Sequence, residues 1–286
     1  MNAKVSKKFF WLHIKKCGGT TIKNFLGDIY DDIPNQSNIP SFIQVDKKYW
    51  NAILNNSRCN LGDFVNKRSL FAKTYLYQDE WSNIHSFAFI REPIDRCLSM
   101  FNYLILKNQT DYLKLIIKIF FKRKKIVITK SNIFDWFLDI LEIIHCNEQK
   151  EILEFKYKTN HFIMHTNPYY NDLTDINGNI LIKKIYKIET FDEDIKDLLN
   201  QIEISPNYEN LISQIDLKIM KEQENNNYNK MKILINRKNY LKKYAAGQIH
   251  NLKLNSNNKK KLILSSKHLK KIKKIYNKDF DLYERL

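Results

Sequence analysis

The chain has 286 residues, of which 43% are hydrophobic and 13% aromatic. A chain near this length buries roughly 75% of its unfolded surface, so intrinsic disorder and a disulfide-stapled miniprotein are both excluded. Six Gly and five Pro exclude collagen-like and flexible low-complexity chains. Lys+Arg 48 against Asp+Glu 31, a formal net charge of +17, favours polyanionic partners: nucleic acid, nucleotide, acidic glycan or a membrane surface. A chain-wide excess of Lys, Asn and Ile is equally what AT-rich coding produces, so charge alone does not choose among them.

Cys17, Cys59, Cys97 and Cys146 form no Cys-x-x-Cys pair, which argues against a zinc ribbon and for reduced thiols. The apolar stretch from Phe9 to Ile14 is too short for a signal sequence. The run from Leu113 to Phe121 is broken by Lys114 and Lys118 and falls short of the roughly 20 residues that cross a bilayer. A soluble, cytoplasmic, single-domain protein over residues 1–286 is the expectation.

In chain order, short apolar runs at Phe9 to Ile14, Leu70 to Tyr75, Phe87 to Arg91 and Ile185 to Ile188 predict strands, each nearly continuously apolar as buried parallel strands are. Helical patterns follow at Thr20 to Leu26, Pro93 to about Leu106, Ile133 to His145, Asp192 to Gln201 and Leu269 to Tyr276. Repeated β-loop-α units predict an α/β fold, a central parallel sheet flanked by helices. The basic block Lys122 to Lys125 reads as a solvated face or part of an anionic acceptor groove.

Two segments carry chemistry. The first, Phe9 to Ile22, runs from an apolar strand through Lys15-Lys16-Cys17-Gly18-Gly19-Thr20-Thr21 into a helix. Glycine lets backbone N–H groups approach an anion, a helix start adds positive potential, and hydroxyls add donors, so this loop suits a phosphate or sulfate. The Lys precedes the glycines, whereas the Walker pattern places it after them, which disfavours a standard ATPase or GTPase. In the second, Ser86 to Phe101, Arg91 ends a buried strand, Pro93 suits the first turn of a helix, and Ser99 lies about two turns in. There a guanidinium and a hydroxyl converge on one anion.

These segments resemble the carbohydrate sulfotransferases that use 3′-phosphoadenosine-5′-phosphosulfate (PAPS), in particular the heparan sulfate 2-O-sulfotransferase branch. His13 to Thr21 is similar to that family's 5′-phosphosulfate loop (H-I-P-K-T-G-G-T-S), and Ile90 to Ser99 to its 3′-phosphate segment (R-D-P-x-x-R-x-x-S). Lys187 to Asp194, Ile275 to Tyr283 and Asn236 to Tyr244 are similar to its later segments. The resemblance implies a P-loop-like sulfotransferase fold. It places Lys16, the backbone of Cys17, Gly18 and Gly19, and Thr20 and Thr21 on the 5′-phosphosulfate, Arg91 and Ser99 on the 3′-phosphate, and Arg237 and Tyr244 in a covering loop. It also implies a metal-free in-line transfer to a hydroxylated saccharide, releasing 3′-phosphoadenosine-5′-phosphate (PAP).

Three motif positions depart from the family: Lys15 stands where it has Pro, Cys17 where it has Thr, and Glu92 where it has Asp. The family's acceptor-activating His, on the strand between the two motifs, is replaced by Lys73, with His85 and His165 as rival bases. A catalytically inactive nucleotide binder and a basic nucleic-acid-binding protein are the competing readings.

Overall fold

The computed structural model describes residues 9–19, 22, 26, 46–56, 61–107, 130–146, 160–202 and 262–286. Three strands, β1 (Phe9–Leu12), β2 (His85–Ile90) and β3 (Lys184–Lys187), form a wholly parallel sheet in that order. The register pairs Leu12 with Ala88 and Ile90 with Lys187, so all three strands end at one edge. Nine α-helices are described: α1 (Trp50–Leu54), α2 (Arg68–Phe71), α3 (Pro93–Phe101), α4 (Lys130–Cys146), α5 (Asn160–Thr166), α6 (Tyr169–Leu173), α7 (Phe191–Gln201), α8 (Ser266–Ile275) and α9 (Asn277–Arg285).

Alternation along each strand sorts side chains onto two apolar layers. Phe10, Leu12, Ala88 and Ile90 pack with Trp50, Leu54, Leu76, Trp81, Tyr169 and Leu282 on one face. Trp11, Phe87, Phe89 and Tyr186 pack with Ile22, Leu26, Phe191, Ile195 and Leu198 on the other. Both faces being covered explains why these strands read as continuous apolar runs. A third cluster joins Cys97, Met100, Phe101 and Leu104 of α3 and its continuation to Phe134, Phe137 and Leu141 of α4 and Ile272 and Ile275 of α8.

Among the described strands β1 lies at the sheet edge, and its outer backbone is met by side chains. The Asn51 amide accepts from Trp11 N–H (3.3 Å) and donates to Phe9 O (3.4 Å), while Asn55 accepts from His13 N–H (2.8 Å) and donates to Trp11 O (2.7 Å). Four residues apart, Asn51 on α1 and Asn55 at its C-cap present the pattern that a neighbouring strand would offer.

One expected strand is a helix. Leu70 to Tyr75 lies in α2 and its π-helical continuation Ala72–Tyr77. Ala72 and Leu76, four residues apart, are buried while Lys73, Thr74 and Tyr75 are exposed, a helical rather than alternating pattern. Phe71 and Tyr75 confirm it, with rings 5.1 Å apart at helical spacing. β1 also stops at Leu12, two residues before the expected end, because the chain turns there: Ile14 N–H bonds back to Leu12 O (3.0 Å). The helices predicted from Pro93, Ile133, Asp192 and Leu269 fall on α3, α4, α7 and α8 with ends shifted by a few residues, and α3 continues as a π-helical turn over Asn102–Lys107; the one predicted at Thr20 to Leu26 lies mostly outside the described residues. The block Lys122 to Lys125 lies outside the described residues.

Candidate functional site

The three strand ends meet at the carboxyl edge of the sheet, where open parallel sheets carry their ligands. After β1 the chain turns through Lys15 to Gly18 and becomes helical at Gly19, with Ile22 N–H bonded to Gly18 O (3.1 Å). Lys16 and Gly18 both have left-handed backbone, φ 69° and 74°. Strain of this kind at a non-glycine residue, about 1–3 kcal/mol, collects at ligand sites. A Cβ on Gly18 would lie 2.2 Å from Ile188 Cδ1, and one on Gly19 would lie 1.8 Å from His13 Nε2. Only glycine fits either place.

Cys17 turns inward. Its side chain is in the core, burial pushes its thiol up to about 12, and its backbone N–H donates to Ile14 O (3.4 Å). That amide is engaged within the turn.

Buried polar side chains hold the loop from outside. Arg96, 2% exposed, donates from Nε to Lys15 O (3.2 Å) and from Nη2 to Asn167 O (2.8 Å), with Nη1 3.5 Å from Asp279 Oδ2. Arg68, 0% exposed, forks onto Asp172 (3.1 and 2.7 Å) and reaches His13 O (3.1 Å) from Nη1. Such bidentate geometry is what keeps a buried guanidinium tolerable.

Two lysines lie inside this frame. Lys15 Nζ donates to Asn55 O (2.6 Å) and lies 3.3 Å from His13 Nδ1. Burial first, then Arg68, pull the Lys15 ammonium down to about 7, against a smaller opposing pull from Asp172. The His13 ring stacks on Trp11 at 4.9 Å and is held neutral by burial and by Lys15 and Arg68. Lys16 Nζ lies 4.1 Å above the Tyr103 ring, on which His165 stacks at 5.0 Å, followed by His161 at 4.4 Å from His165.

His165 Nδ1 lies 2.7 Å from His161 O. A carbonyl accepts only, so Nδ1 carries the proton and Nε2 the lone pair. Burial keeps His165 well below its ordinary pKa, neutral at pH 7.

At the end of β2, Arg91 Nη2 lies 3.7 Å from Asp95 Oδ2. Glu92 caps α3 by accepting from Asp95 N–H (2.7 Å), and its own N–H donates to Glu189 beyond β3 (3.0 Å). Ser99 shares a helical face with Arg96 and Tyr103, three residues before it and four after.

Of the predicted bases, Lys73 is exposed on the helical turn after α2 rather than on a buried strand. His85 opens β2, five residues or roughly 16 Å from the edge that carries Arg91. Only His165 is brought beside Lys16. Thr20, Thr21, Arg237 and Tyr244 lie outside the described residues. Sequence reasoning did not single out Arg96, Arg68, Asn55 or Tyr103. Arg96 was legible as the second Arg of the strand-end motif; the other three are joined to the loop only by tertiary structure. Among the described residues no group of three or more His, Cys, Asp or Glu is placed to hold a metal ion, and no helix is long and apolar enough to cross a membrane.

The sheet edge, glycine turn and two flanking cation positions define an α/β protein whose site is arranged for an anionic ligand. A family model described as Sulfotransferase family matches residues 2–284, and the chain belongs to that family: it is a sulfotransferase-family transferase. No curated protein and no solved structure matches it.

Proposed function

We propose that the chain moves a sulfuryl group from PAPS to a hydroxyl of a carbohydrate acceptor. The observation that carries this reading is that the Lys16 loop and Arg91 stand at the carboxyl ends of adjacent strands β1 and β2, positions suited to the two phosphate ends of one nucleotide. The residues present fit the group: Gly18 and Gly19 keep the turn free of side chains, which would strike Ile188 and His13, so its backbone is open to an anion, and Lys16, Arg91 and Ser99 supply the cations and hydroxyl. Lys16, Gly18 and Gly19 would hold the 5′-phosphosulfate, joined by Thr20 and Thr21; Arg91 and Ser99 would hold the 3′-phosphate. When bound, PAPS supplies the activated sulfuryl group and a PAP leaving group.

With PAPS bound, Lys16 would supply the fixed positive charge that stabilises negative charge on the leaving phosphate oxygen. Its ammonium is parked on Tyr103, so it is ordered before ligand arrives. His165 Nε2 takes the acceptor hydroxyl proton. It is the one predicted base adjacent to the Lys16–Tyr103 pair, its lone pair is fixed by the Nδ1 bond, and it is neutral at pH 7. The excess of positive charge suits an acidic saccharide.

Calorimetric titration of PAP against 5′-AMP tests the reading. Wild type binds PAP much more tightly. Arg91→Ala weakens PAP by roughly 10- to 150-fold, the loss expected for hydrogen bonds to a charged group, and leaves 5′-AMP little changed. Equal affinity of wild type for both nucleotides overturns it.

A further inference from the structure

The His13 ring spans the loop from inside. Its Nδ1 edge faces the Lys15 ammonium at 3.3 Å, and its Nε2 edge is the group that a Cβ on Gly19 would strike at 1.8 Å. The ring plane is set by stacking on Trp11 at 4.9 Å and 19°, and the backbone on either side is held by Asn55 on His13 N–H and Arg68 on His13 O. Nδ1 is the ring atom with a hydrogen bond to a described residue; Nε2 has none, and the side chain is half-buried rather than sealed.

Lys15 sits where the resembling family has Pro, which could offer His13 nothing. An ammonium donates and never accepts, and a bound anion favours that charged form of Lys15, so with Nδ1 as acceptor the ring proton is on Nε2. Resting on the sulfotransferase reading, we propose that His13 Nε2–H is a further donor to the 5′-phosphosulfate beside Gly19, with Lys15 fixing the tautomer that makes it one. Lys15, Lys16 and Arg68 surround the ring with positive charge, and Asp172, spanned by Arg68, is the acidic group among them. Burial and those cations keep the imidazole from taking a second proton, so it acts as a neutral, directional donor rather than another diffuse charge.

Isosteric substitution separates the two ring nitrogens. Asn places an amide nitrogen near Nδ1 and Gln places one near Nε2. The full-length chain and its His13→Asn, His13→Gln and Lys15→Met variants are titrated with PAP and with adenosine 3′-phosphate, which lacks the 5′ group. The expected result is a loss of roughly tenfold in PAP affinity for His13→Asn, recovery to within about threefold of wild type for His13→Gln, and unchanged adenosine 3′-phosphate affinity in both. Lys15→Met weakens PAP and spares adenosine 3′-phosphate. Overturning results are PAP affinity in His13→Asn equal to wild type, or an equal loss for both nucleotides in His13→Asn and His13→Gln, which would mark a merely structural ring. A wild type that does not distinguish PAP from adenosine 3′-phosphate brings down the sulfotransferase reading with it, whereas failure confined to the variants brings down this inference alone.

Discussion

Arg96 donates to the Lys15 carbonyl oxygen at 3.2 Å while its other end lies 3.5 Å from the Asp279 carboxylate. The candidate loop is thus tied through α3 to the C-terminal helix α9, whose Asp279 also accepts from Tyr169 and Tyr170 N–H at the start of α6 (3.0 and 2.9 Å). One guanidinium fastens three elements, and it stands between the chain's two most distant sequence motifs.

Removing that guanidinium leaves a buried carboxylate without its cation, a change that typically costs about 3–5 kcal/mol. Arg96→Met is expected to lose stability on that scale, seen as a lower urea midpoint at unchanged slope. Burial already raises the Asp279 carboxyl to about 7, with Arg96 pulling it back; without Arg96 it rises further. The folded state then holds a proton that the unfolded state, near pH 4, releases. The Asp279 contribution to the variant's stability therefore falls as pH rises from about 4 through 7, and continues to fall beyond 7 where the same contribution in wild type has levelled off. A variant with equal deficits at pH 5 and pH 8 contradicts this.

Asn55 offers a second test of how the loop is held. Its amide pairs with Trp11 O and His13 N–H, and its Oδ1 also lies 3.4 Å from Arg68 Nη1. Asn55→Leu keeps the branched shape and strips every side-chain partner, and each buried polar group left unpaired costs about 1–3 kcal/mol. The expected loss is about 2–4 kcal/mol, with faster amide exchange at His13 than at strand residues of β2. Asn55→Asp keeps the acceptor for His13 N–H but loses the donors to Trp11 O (2.7 Å) and Asn51 O (2.8 Å), and falls in between.

These two anchors show what the sequence could and could not convey. The strand ends, the glycine turn and the Arg91-Pro93-Ser99 segment were legible because local chemistry dictates them: apolar runs bounded by glycine, and a proline at a helix start. Asn51 and Asn55 were not, because an amide closing a strand edge 40 residues away leaves no periodic signature. The misplaced strand at Leu70 to Tyr75 has the same origin. A short apolar run fits a helix as well as a strand, and here the burial of Ala72 and Leu76 under Trp50, Tyr77 and Trp81 decided it. That helix leaves Lys73 exposed, while His165, already named as a rival base, stacks on Tyr103 beside Lys16, a contact that no spacing in the sequence announces.

Tyr103 holds the Lys16 ammonium at 4.1 Å. Lys16→Ala is expected to cut turnover by roughly 100- to 1000-fold, the usual effect of losing one preorganised donor. A cation–π contact is worth about 0.5–2 kcal/mol, so Tyr103→Leu should cost only several-fold, and Tyr103→Phe, which keeps the ring, almost nothing. Single-turnover formation of PAP from PAPS, with saccharide acceptors and with water, measures all three. Near wild-type turnover in Lys16→Ala removes its role at the leaving group.

Lys15 supplies a pH dependence with a definite sign. Its ammonium lies near 7 in the folded chain and near 10.5 when unfolded, so between those values the unfolded chain holds one more proton and stability rises with pH over that window. An anion bound in the loop opposes the burial and the neighbouring Arg68 and Lys16 that depress it, and pulls the proton back on. At pH 8, where His13, His161 and His165 are already neutral and the nucleotide phosphates are ionised, PAP binding should take up close to one proton per chain. Titrations in buffers of differing ionisation enthalpy count that proton directly. Uptake should vanish in Lys15→Met while persisting in His13→Gln, and PAP affinity of wild type should weaken as pH climbs above 7. Uptake that is unchanged in Lys15→Met would assign the proton to another group and leave Lys15 a purely structural contact of Asn55.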